Sequence, residues 1–184
     1  MTQKRLSKED WLAAGFRALA QGGPSALRAE AIARDLKTTK GSFYWHFKDL
    51  GAFKTAMLAL WKHKATDAII TDLQNLPAGQ DPLLTLITIA SHSPTRFGGA
   101  AVEPAIREWA RADPNAEAAL VEVDSQRIAF LHDHLRTSEH EDVTKARLFY
   151  AAHLGLEQLA RTRGDSGEAE RQLLLSLLRP DKAG

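Results

Sequence analysis

Cysteine is absent from the 184 residues, so this chain has neither disulfides nor thiolate metal sites. That absence suits a reducing compartment, and the opening MTQKRLSKED is too polar for a secretory signal, so a cytoplasmic location is the expectation. No apolar run approaches the roughly 18 residues of a membrane-spanning helix, and no membrane partner is expected. Alternation with period two is missing over any useful length, which argues against a sheet. The patterns that mark common catalytic sites are missing too: HExxH, GxSxG, a P-loop and GxGxxG. Seven histidines are present, but only His132-Asp133-His134 is dense. On a helix, positions i and i+2 point about 200° apart, so the two rings cannot share a metal. The sequence therefore gives no catalytic residue, no metal and no cofactor.

What is present is an apolar content of 44%, enough for a substantial core, and a lopsided charge. The net charge of +1 hides a division. Residues 1–64 carry 12 Lys/Arg against 5 Asp/Glu, a net of +7, and residues 65–184 carry 12 against 18, a net of −6. A basic first third on an acidic remainder is the asymmetry expected when one part meets a polyanion. A chance excess of solvated lysines is the plainer reading. It is weakened because the basic part also holds TTKGSFYWHF, residues 38–47, where hydroxyls, a cation and a glycine precede an unbroken run of rings.

Helical periodicity runs through nearly the whole chain. Ser7 with Asp10 reads as a capping box, and Leu12, Phe16 and Leu19 recur on one face up to Gly22-Gly23-Pro24. A short helix from about 28 to 36 buries Ala31 or Ile32 together with Leu36. After a turn at Lys37-Thr38, Thr39 is the N-cap of a third helix through Trp45 or His46. A long helix spans about 49–72, with Phe53, Met57, Leu60 and Trp61 on its apolar side. Further helices are predicted at about 82–92, 99–112, 114–136, 140–163 and 167–178, with Ser138/Glu141 and Asp165/Glu168 as further capping boxes. The fold class is all-α, with a small three-helix unit ahead of a larger bundle.

Two short helices joined by a tight turn and steadied by an earlier helix have the geometry of a helix-turn-helix. The second of them enters the major groove, about 12 Å wide. Thr38, Thr39 and Ser42 can donate to phosphate oxygens, Lys40 supplies charge, and Gly41 lets the helix backbone come close. Phe43 and Phe47 pack inward, leaving Tyr44, Trp45 and His46 nearer the surface.

Residues from about Lys4 to Lys64 resemble the DNA-binding domain of the TetR family of bacterial transcription regulators. The resemblance rests on Ile32-Ala33, on TKGSFYWHF for the recognition helix and its exit, and on KDLGAF opening the fourth helix. It implies that Thr39, Lys40 and Ser42 lie at or beside double-stranded operator DNA, that Gly41 permits close approach, and that Tyr44 and His46 hold the backbone. It places Lys48 where the next helix presents its N-terminus to a phosphate. Arg28 reads as a phosphate contact, and Trp45 divides evenly between groove contact and packing. Phe43, Phe47 and Trp11 read as core. The chain departs from the family pattern in the turn, with Lys37 where glycine is common and Thr38 in an aliphatic slot. If position 37 needs positive φ, lysine there costs about 1 kcal/mol relative to glycine.

The resemblance divides the chain at 1–48, a DNA-binding domain whose likeness to the family continues to about 64, and 49–184, a helical domain for dimerisation and ligand sensing. Leu148, Ala152, Gly155 and Leu159 form one stripe, and Leu173, Leu174, Leu177 and Leu178 form another. Two such helices from each of two chains would make a four-helix homodimer interface. The alternative is that both stripes close a single core. The candidates for lining a sensing pocket are Met57, Trp61, Ile87, Phe97, Trp109 and Phe130, with His92, Arg96 and Arg107 as polar anchors. For each of these alone, ordinary packing is the plainer reading. The expected effector is an apolar or aromatic small molecule. The function predicted is a ligand-responsive repressor that binds a palindromic operator as a dimer. A small all-α enzyme and a protein-interaction adaptor are the alternatives, and salt-dependent binding of a duplex separates the first reading from both.

Overall fold

The computed structural model describes residues 6–90, 95–136, 142–164 and 167–179, and all regular structure among them is helical. Helix α1 (Lys8–Gly22) opens on the capping box predicted for it: the Ser7 hydroxyl accepts from the Asp10 amide, and the Asp10 carboxylate accepts from the Ser7 amide at 2.9 Å. Next come α2 (Ala29–Asp35), α3 (Lys40–His46) and α4 (Leu50–Lys62). The helical path does not end at Lys62. Residues His63–Asp67 wind as a π-helix and continue into α5 (Ala68–Gln74), so the predicted long helix exists but changes its pitch partway. Helices α6 (Pro82–Ala90), α7 (Val102–Ala110), α8 (Pro114–Leu135), α9 (Thr144–Arg163) and α10 (Glu168–Leu178) complete the chain. Ser138, Glu141 and Asp165, and so both proposed C-terminal capping boxes, lie outside the described residues.

The chain divides into two compact units. Residues 1–63 with 94–121 make the first, and 64–93 with 122–184 make the second. Helix α7 thus belongs with the N-terminal helices, a grouping that sequence order hides.

The first unit is organised around an aromatic knot. Trp11 of α1 meets Phe43 edge-on at 5.5 Å, and Phe43 touches Phe47 and Phe53, each at 5.3 Å. Phe47 and Phe53 meet at 4.9 Å, and all four rings are buried. Rings of this size in edge-to-face contact add directional attraction to the area they bury. Helix α4 comes so close to α1 that a Cβ on Gly15 would stand 2.5 Å from Phe53 Cζ. Helix α7 buries Val102, Ile106 and Trp109 and packs against α1. The turn ahead of it is tied to α1 as well. Arg96 pairs with Asp10 at 3.2 Å, Phe97 lies edge-on to Phe16, and Gly98 sits at φ +96° with no room for a Cβ beside the Phe16 carbonyl and Val102.

In the second unit Leu73, Leu83, Ile87, Phe130, Leu135, Phe149 and Leu175 form one core drawn from α5, α6, α8, α9 and α10. Arg127 of α8 braces the π-helix. It donates to the Ala65 carbonyl at 3.1 Å, to the Thr66 hydroxyl at 3.3 Å and to the Tyr150 hydroxyl at 3.0 Å. The Tyr150 hydroxyl in turn donates to Asp124 at 2.6 Å. A widened helical turn leaves backbone carbonyls without their usual partner, and a forked guanidinium can satisfy one while bonding to side chains beside it. Arg179 closes the end of α10 onto Asp81, at 2.6 Å. Asp81 also caps α6, accepting from the Leu83 amide at 2.9 Å.

Candidate nucleic-acid interface

The turn between α2 and α3 sets the geometry of the site. Lys37 is the only non-glycine residue with positive φ among the described residues, at +53°. The Thr38 amide donates back to the Ala33 carbonyl at 2.9 Å and the Lys37 amide to the Arg34 carbonyl at 3.1 Å. This nested pair of bonds is a Schellman ending, in which the residue just past the helix turns left-handed. The positive φ considered from the sequence is therefore present, carried by a lysine. Thr38 is half-buried rather than sealed in an aliphatic slot.

Helix α3 starts immediately after this turn. Thr39 is extended, at φ −93° and ψ 154°, and its hydroxyl accepts from the Ser42 amide at 3.3 Å. Phe43 and Phe47, four residues apart, face the knot and are buried, which leaves the opposite side of the helix to solvent. Tyr44 is 51% exposed and Trp45 84% exposed. That figure decides the question left open for Trp45: it does not pack against the protein. His46 is half-buried, 6.2 Å from the Trp11 ring. Gly41 is exposed, and a Cβ built on it would meet nothing nearer than the Thr39 hydroxyl at 3.6 Å. Arg28 is the exposed residue ahead of α2, with no side-chain cap of its own there. Lys48 is also exposed, just before Asp49, whose carboxylate caps α4 by accepting from the Ala52 amide at 2.7 Å.

One member of the surface was not picked out by reading the sequence. Glu30, in the first turn of α2, accepts from the Lys40 ammonium across the helix-turn-helix. The hydrogen bond from Lys40 holds the Glu30 carboxyl below the usual range, and the nearby Arg28 charge adds to this. Lys40 is correspondingly raised, first through that hydrogen bond. Residues 30 and 40 are ten apart on separate helices, so no periodicity within one helix could have paired them. The surface is therefore mixed in sign, with one carboxylate set among Arg28 and Lys40.

The residues proposed for a sensing pocket do not come together in one unit. Met57, Trp61, Phe97, Arg107 and Trp109 lie in the first, and Ile87 and Phe130 in the second. Met57, Trp61, Trp109, Ile87 and Phe130 are buried in their units, and Phe97 is half-buried. Trp109 donates its ring N–H to Asp113 at 2.9 Å, with the Lys54 ammonium 5.5 Å from its ring centre. Arg107 pairs with Glu103 at 2.9 Å. His92 lies outside the described residues. Of the residues proposed for a dimer interface, Leu148, Leu159, Leu173 and Leu177 are each more than half exposed. Ala152 and Leu174 are half-buried, and a Cβ on Gly155 would meet nothing within 4 Å. Among the described residues, no group of three or more His, Asp or Glu is placed to hold a metal, and no helix is long and apolar enough to cross a membrane.

Residues 12–50 match the model of bacterial regulatory proteins, tetR family. Solved structures share the fold over nearly the whole chain. A putative TetR-family transcriptional regulator from Rhodococcus sp. is 21% identical, with 93% of this chain and 96% of that one covered at a TM-score of 0.73. A putative transcriptional regulator from Saccharomonospora viridis, solved in complex with choline, is 18% identical over 93% and 94% of the two chains, at 0.75. The multidrug binding protein EbrR, complexed with malachite green, is 18% identical over 97% and 99%, at 0.69. No curated protein matches the chain significantly.

Proposed function

We propose, from the premise that this chain is a bacterial transcription regulator of the TetR family, that it is a repressor binding a palindromic operator as a homodimer and releasing it when a small molecule binds. The observation that carries the DNA half is the face of α3 turned away from the knot. An 84%-exposed tryptophan beside a half-exposed tyrosine is a poor surface for a helix with nothing to meet. Together with the exposed Arg28 and Lys48, those rings suit a groove wall, with the cations on phosphates and the aromatic and hydroxyl groups on sugar and base edges. Thr38, Thr39, Lys40, Gly41, Ser42 and His46 complete the contact.

The dimer reading draws on the second unit. Leu148 and Leu159 of α9 and Leu173 and Leu177 of α10 expose apolar surface, and Gly155 leaves space for a close approach. A palindromic operator asks the two α3 helices of such a dimer to meet half-sites about 34–36 Å apart, or a multiple of that. Relatives of the same fold were solved with choline and with malachite green, and a small organic molecule is the corresponding effector class for this chain. A cytoplasmic location follows from the role. The test is a salt titration of duplex binding: tight binding that weakens linearly on a log–log plot supports the reading. An enzyme or adaptor with no need of DNA would give no such dependence.

A further inference from the structure

Resting on the DNA-binding reading above, we infer that Glu30 is a specificity-tuning residue: an internal rival to phosphate that holds the Lys40 charge until a duplex displaces it. Lys40 opens α3 and Glu30 lies in the first turn of α2, and their side chains are joined by an ion pair across the helix-turn-helix. Both side chains are more than half exposed, so the pair stands on the surface rather than in the core, where a folding role would place it. Glu30 also feels the charge of Arg28, so this carboxylate acts on two cations of the surface.

A carboxylate in that position does two things to DNA binding. It neutralises Lys40 in the free protein, so that Lys40 attracts no phosphate at a distance. It also has to be released or shared before Lys40 can contact the backbone. General affinity for DNA scales with the number of phosphates neutralised, each contributing about 0.9 to the slope of log K against log salt. With Glu30 present, Lys40 contributes little of its unit. The protein therefore depends more on base-edge contacts and less on charge, which lowers its hold on arbitrary sequence. An exposed ion pair is weak in water, so this exchange is easily made at a site where α3 seats fully.

The experiment uses the full-length protein and a random-sequence duplex of fixed length, with binding measured by fluorescence anisotropy across a series of salt concentrations. The proteins are the wild type, Glu30→Gln, Lys40→Ala and the double variant, each first checked by circular dichroism and thermal melting. Glu30→Gln should steepen the slope by about 0.9 and tighten binding about eightfold at 0.1 M salt, the factor one phosphate contact carries when the salt law is extrapolated from 1 M. In the Glu30→Gln background, Lys40→Ala should cancel the gain. An unchanged or weakened Glu30→Gln protein overturns the inference. So does an equal gain with and without Lys40, which would make Glu30 a source of general repulsion only. A wild type that binds no duplex at any salt overturns the DNA reading itself and the inference with it. Wild-type binding with no effect at position 30 overturns the inference alone.

Discussion

Lys37→Gly should make this protein more stable. Lysine at that position sits at φ +53°, where its Cβ crowds the following carbonyl. An L-residue there pays about 1–2 kcal/mol that glycine does not. Glycine returns part of that gain, because its unfolded chain has more freedom to lose, by about 0.4–1 kcal/mol. The nested hydrogen bonds of the turn use only main-chain groups of residues 33, 34, 37 and 38, so they survive the change. The lysine side chain is exposed, so no packing goes with it. The net expectation is a gain of up to about 1 kcal/mol, or roughly 2–4 °C in Tm for a chain of this length. Thermal melting by circular dichroism, with urea titration as a second route, measures it. Lys37→Ala is the control: it removes the side chain but keeps the Cβ, and should leave stability nearly unchanged. A clear loss of stability in Lys37→Gly, or an equal gain in Lys37→Ala, would refute the conformational argument.

Four further outcomes are expected. Lys48→Ala should lower the salt slope for duplex binding by about 0.9 while the fold is kept, because this exposed lysine is free of the competition that masks Lys40. Tyr44→Phe should weaken binding in the same assay without changing the melting curve. Gly155→Trp, placed where a Cβ meets nothing within 4 Å, should leave the protomer folded yet give monomers by analytical ultracentrifugation, whereas a persistent dimer would move the interface elsewhere. Acidification should weaken the second unit through Asp81, whose carboxyl is held below its ordinary 3.8 first by the Arg179 hydrogen bond. A carboxylate with a depressed folded pKa contributes stability above the unfolded value that is lost as pH falls through the folded one, so the loss comes below about pH 3.8. Arg179→Ala should be less stable at neutral pH and lose less on acidification, and identical pH profiles would count against the pair.

The all-α class, the positions of the helices and the capping box at Ser7 and Asp10 were legible because each depends on residues three or four apart. The strained turn was legible for a related reason: the resemblance marked the position where glycine is common, and a lysine stood there. Other features were out of reach. The π-helix at His63–Asp67 is braced by Arg127 and Thr66, 61 residues apart, and nothing in HKATD announces it. That α7 belongs with α1 depends on Gly98 fitting beside the Phe16 carbonyl, a contact between distant stretches of chain. The exposed apolar stripes of α9 and α10 were visible as stripes, but periodicity does not say which face the monomer already covers. At the surface proposed to face DNA the cations and rings could be read singly. The carboxylate among them could not, because Glu30 meets Lys40 only once two helices have folded against each other.

The most direct test of the whole account is selection of bound sequences from a random duplex pool, followed by protection mapping on the winner. The account predicts an enriched two-fold symmetric site with half-sites about 10–10.5 base pairs apart, centre to centre, or a multiple of that spacing. It also predicts that enrichment disappears when Tyr44 and Trp45 are both replaced by alanine in a protein that still folds. No enrichment by the wild type, or the same site recovered by the double variant, would contradict it.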